Sequence, residues 1–85
     1  MDHVQNIGKG RKASEILDND VIKEAFQALE SHYINEWKSS KIDDEVKREK
    51  AYAKMSVLTE FKAQLQSFVD AGKISGKQLE KSQKI

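Results

Sequence analysis

An apolar stripe at helical spacing, in the stretch from Asp44 to Ala71, constrains this chain more than any other feature. With Leu58 at zero and about 100° added per residue, Ala51, Met55, Phe61, Leu65, Phe68 and Val69 fall within roughly 80° of it. The pattern predicts one long helix, and no proline interrupts it. Asp43 or Asp44 can cap its amino end, and Glu45 complements the positive end of the helix dipole. Gly72 is placed to adopt the left-handed conformation that stops a helix. Lys54 and Lys62 fall inside the stripe, where their stems can pack while the ammonium groups reach water. The first turns, Glu45 to Lys50, are almost wholly charged and are expected to project beyond their cover.

A second helix is expected from about Asp20 to Lys38. Relative to Leu29, the side chains of Ile22, Ala25, Phe26, His32, Tyr33 and Trp37 share one face, which Val21 and Ala28 widen. A face that wide touches more than one neighbour. Ile34 lies opposite it and Glu36 lies within it. The connection from Ser39 to Asp43 is short and polar, with Ile42 its single apolar anchor, and connections of this length join antiparallel helices. Upstream, Lys12, Ala13, Ile16 and Leu17 suit a short helix that Asp18, Asn19 and Asp20 interrupt. Met1 to Gly10 holds two glycines and no periodicity, so it is expected to be a mobile arm. Beyond Gly72 the only apolar residues are Ile74, Leu79 and Ile85. Ser75 is a candidate cap for a weak final turn in an otherwise loosely ordered tail.

The expected fold is therefore all-α: an antiparallel two-helix hairpin over residues 11–72, including a short N-terminal helix, between flexible basic arms at 1–10 and 73–85. One hairpin leaves half of each stripe wet, whereas two hairpins make a closed four-helix bundle. A homo-oligomer, a dimer first, is expected, with Ile22, Phe26, Leu29, Tyr33, Met55, Leu58, Phe61, Leu65 and Phe68 as core and self-association residues. The alternative is a marginal monomer closed by Ile16, Leu17, Ile74 and Leu79.

Composition narrows the class. Among 85 residues there is no cysteine, which removes disulfides and thiolate metal sites. Hydrophobic residues make up 38% and charged residues 34%, the latter above the usual quarter and typical of helical chains. No long apolar run is present, so neither a signal peptide nor a membrane span is expected, and the protein is read as soluble and cytoplasmic. The net charge of +1 conceals an acidic body between basic ends. Lys9, Arg11, Lys12, Lys73 and Lys77 are the candidate phosphate contacts, though a few lysines also serve to solvate chain ends, and that reading is preferred.

The chemistry-bearing motifs fail in turn. Gly8-Lys9-Gly10-Arg11-Lys12-Ala13-Ser14 lacks the glycine spacing and the preceding buried strand of a phosphate loop. His32 and Glu36 have the spacing of two metal ligands, but no third or fourth follows. Asp43, Asp44 and Glu45 are explained by a capped helix start. No Ser-His-Asp or Cys-His set occurs, so neither enzyme activity nor a cofactor is expected. Ile34, Trp37 and Tyr52 are the candidate contacts with a further partner.

The order Arg11-x-Ala13-x-x-Ile16-Leu17-x-Asn19, then Ala25-Phe26, Leu29, Tyr33-Ile34, Trp37-Lys38, Arg48-Glu49, Leu58, Leu65 and Gly72-Lys73 resembles small helical proteins of tailed bacteriophages and prophages. The likeness spans about residues 10–80 and consists mostly of hydrophobic spacing. It implies a phage accessory protein associated with virion assembly or DNA packaging, whose partner is another phage or host protein. This chain departs from that pattern in its proline-free interhelical loop and its lysine-rich tail. Two other functions are carried alongside: a nucleic-acid-binding accessory factor using the basic arms, and a small inhibitor of a host defence protein.

Overall fold

The side chain of Asp2 sets where helix begins: its carboxylate accepts a hydrogen bond from the Val4 amide at 2.9 Å, satisfying one of the amides that a helix start leaves open. The computed structural model describes residues 2–83, and nearly all of them are helical. Helix α1 spans His3–Asp18, α2 spans Asp20–Ser39 and α3 spans Glu45–Gln83. The architecture is all-α, with no strand among the described residues.

Asn19 alone separates α1 from α2; its extended backbone ends the first helix while its amide still donates to the Ile16 carbonyl. The α2–α3 connection is held more firmly. Ser40 Oγ donates to the Trp37 carbonyl at 2.6 Å, and the Asp44 amide closes a turn onto the Lys41 carbonyl at 2.9 Å. Asp44 then caps α3, its carboxylate accepting from the Lys47 amide at 3.1 Å. Arg48, one turn into α3, reaches back and donates to the carbonyls of Lys41 and, at 2.8 Å, of Ile42.

Four expectations are corrected. Residues 1–10 were expected as a mobile arm with a short helix after it, yet α1 is sixteen residues long and begins at His3. Gly72 was expected to stop the long helix, yet α3 runs through it for thirty-nine residues, and no glycine has a positive φ. The same continuation replaces the loosely ordered tail expected from residue 73. Ser75, expected as a cap, is interior to the helix and buried. Met1, Lys84 and Ile85, at the ends of the expected arm and tail, lie outside the described residues.

The reason is packing. The chain divides into two compact units, Met1–Asn19 with Lys62–Ile85 and Asp20–Phe61, so that α3 contributes one segment to each. In the first unit the covered positions of α1 are His3, Asn6, Ile7, Gly10, Ala13, Ser14 and Leu17, a helical stripe built largely of small and polar residues. Its counterpart on α3 comprises Leu65, Phe68, Val69, Gly72, Ser75, Gly76 and Leu79. Gly10 and Gly72 let the two backbones meet: a Cβ on Gly10 would stand 2.8 Å from the Phe68 carbonyl oxygen and 3.0 Å from Gly72 Cα. A helix interior disfavours glycine by about 1 kcal/mol relative to alanine, and here the close approach offsets that cost. Ser75 joins the same contact, accepting from Asn6 Nδ2 at 3.1 Å with its Oγ 2.9 Å from His3 Nδ1.

The second unit sets α2 beside the first part of α3. Phe26 meets Phe61 with ring centroids 6.0 Å apart, the Lys54 ammonium lies 5.7 Å from the Tyr33 ring centre, and Lys54 approaches Glu36 at 3.9 Å. Partners fall along α3 as they rise along α2. The stripe that looks continuous from Ala51 to Val69 is thus divided, Ala51, Met55, Leu58 and Phe61 belonging to one unit and Leu65, Phe68 and Val69 to the other.

Candidate interaction surface

Small residues close the first unit, and large ones leave the second open. Gly10, Ala13, Val69, Gly72 and Ser75 are buried in the former, whereas Ala51 is the one residue of the latter, among those described, that is fully covered. Ile22, Phe26, Tyr33, Met55 and Leu58 are only half-buried. Leu29 is 40% exposed, Phe61 57% and Val57 64%. No large side chain among the described residues is completely enclosed.

The open residues converge. Phe26, Leu29 and Tyr33 from α2, with Lys54, Val57, Leu58 and Phe61 from α3, line a shallow apolar groove of about 330 Å³. The helical period explains the set: Phe26, Leu29 and Tyr33 are spaced by three and four, as are Lys54, Val57 or Leu58, and Phe61. At one end stand the Phe26 and Phe61 rings, and at the other Tyr33, Lys54 and Glu36. Glu36 also lies 3.0 Å from His32 Nε2, one turn earlier on the helix. Such an arrangement has the means to bury apolar surface and orient one cation.

Sequence reasoning placed Phe26, Leu29, Tyr33, Leu58 and Phe61 on this face but missed Val57, which lies off the stripe centred on Leu58. Its signal was the ridge Lys54, Val57, Phe61. Leu65 and Phe68, expected on the same surface, belong instead to the first unit, where the Lys9 ammonium lies 5.2 Å from the Phe68 ring centre. Ile34, Trp37 and Tyr52 are exposed and do not line the groove. The Trp37 carbonyl is engaged by Ser40.

The basic residues are dispersed among other groups. Arg11 and Lys73 border a second groove, of about 310 Å³, in company with Glu15 and Asp18. Lys9 and Lys12 border a different depression with Gln5 and Gly8. Lys77 is exposed. The acidic side chains beside Arg11 and Lys73 lower the positive potential that a phosphate backbone would meet there. Among the described residues no cluster of three or more His, Cys, Asp or Glu is arranged to hold a metal ion, and no helix is long and apolar enough to cross a membrane. Comparison with protein-family models, with characterised proteins and with solved structures finds no match to this chain.

Proposed function

We propose that this chain is a non-enzymatic interaction module in which α2 and the first part of α3 form an antiparallel hairpin that works by burying its apolar groove against another protein chain. One observation carries the reading: Leu29, Val57 and Phe61 stand 40%, 64% and 57% exposed on a single concave face. Large apolar residues gathered in one open patch, unlike ones scattered singly, mark association surfaces. The sequence resemblance to small helical phage proteins supports reading such a module as an accessory factor of virion assembly or DNA packaging. The protein would then act in an infected host cell or on the virion.

The test is retention of partners from phage-infected lysate, with and without nuclease treatment, by the tagged wild type and by Val57→Lys. Lysine at this exposed helix position has good helical propensity and a flexible stem, so the variant keeps its fold. The reading expects a protein, either another chain or an untagged copy, that the wild type retains and the variant loses. Equal retention by both, or retention that vanishes with nuclease, contradicts it.

A further inference from the structure

We infer that the occupant of the apolar groove is a second copy of this chain, related by a twofold axis passing near Leu29 and Val57; the inference rests on the interaction-module reading and names its partner. The first support is the apolar surface left open on this one face of the second unit, where Leu29 is 40% exposed, Phe61 57% and Val57 64%, more than residues of that size leave wet in a finished core.

The second support is the self-complementarity of the face. Isologous contacts require that a surface match its own half-turn image. Along this groove an aromatic pair, Phe26 and Phe61, stands at one end and a cation, Lys54, beside the Tyr33 ring at the other, with Leu29, Val57 and Leu58 between them. A half-turn about the centre lays Lys54 of each copy toward the Phe26 and Phe61 rings of the other, where ring quadrupoles attract an ammonium. It also places the central aliphatic side chains against their own images. Within one chain the Lys54 ammonium lies 5.7 Å from the Tyr33 ring centre and 3.9 Å from Glu36, and its side chain is 51% exposed, which leaves part of it open to that contact. Two hairpins joined in this way form a four-helix bundle.

The absence of native cysteine makes the geometry testable by single-cysteine crosslinking. A residue near the axis meets its own copy, and a disulfide requires Cβ atoms about 3.5–4.5 Å apart. Under mild oxidation Val57→Cys should give covalent dimer at least tenfold faster than Gln27→Cys, which lies on the opposite side of α2. A mixture of Lys54→Cys and Phe61→Cys should crosslink faster than either alone. If Val57→Cys is no faster than Gln27→Cys while the wild type still retains a lysate protein that Val57→Lys loses, the second copy is overturned and the module reading stands. If both assays fail, both readings fall.

Discussion

Gly10 and Gly72 hold positions where a single methyl group decides whether two helices touch. Gly8 and Gly76, on the same two helices, have nothing within 4 Å of an added Cβ. Alanine at either open site should stabilise the protein by up to about 1 kcal/mol, the difference in helix propensity. At Gly10 the same gain is opposed by the Phe68 carbonyl oxygen at 2.8 Å, a backbone atom that moves only if the helices separate. Overpacking of this kind costs about 1–3 kcal/mol, so Gly10→Ala should lower stability on balance. Urea unfolding followed by circular dichroism measures all three variants; a Gly10→Ala midpoint raised like that of Gly8→Ala would show that the helices do not meet there.

At the scale of elements, the α2–α3 connection depends on Arg48. Its guanidinium holds two carbonyls of the loop, those of Lys41 and Ile42, while Asp44 caps the helix that carries it. Arg48→Met keeps the stem and removes the donors, leaving helix starts and apolar contacts in place. Trypsin should then cut after Lys41 several-fold faster with little loss of helical signal, because local opening and not global unfolding limits cleavage there. Unchanged cleavage would mean that the turn holds without Arg48. The helices themselves were legible to different degrees. The α2 face and the α3 stripe show as large apolar residues at periodic spacing, and the acidic start of α3 reads as a cap. The amino-terminal part of α1 was hidden because its covered positions include His3, Asn6 and Gly10, which hydropathy does not register as a core face. Gly72 misled for the same reason: its role comes from a helix sixty residues away in sequence, and local chemistry alone makes glycine a stop signal. The groove was partly legible, since Leu29 and Phe61 mark it, but whether a stripe faces a neighbour or solvent depends on which segment of α3 meets which helix.

For the whole molecule, self-association is the central claim, because the second unit exposes the large residues that ordinarily form a core. The most direct test is sedimentation equilibrium across the micromolar range, with circular dichroism on the same samples. The wild type should show about twice its 9.7 kDa chain mass; Val57→Lys should sediment as the single chain with its helical signal retained, the introduced charge at the buried centre of the interface costing several kcal/mol. A wild type that stays at the single-chain mass over the whole range, or a Val57→Lys variant that remains at twice that mass, would contradict the account.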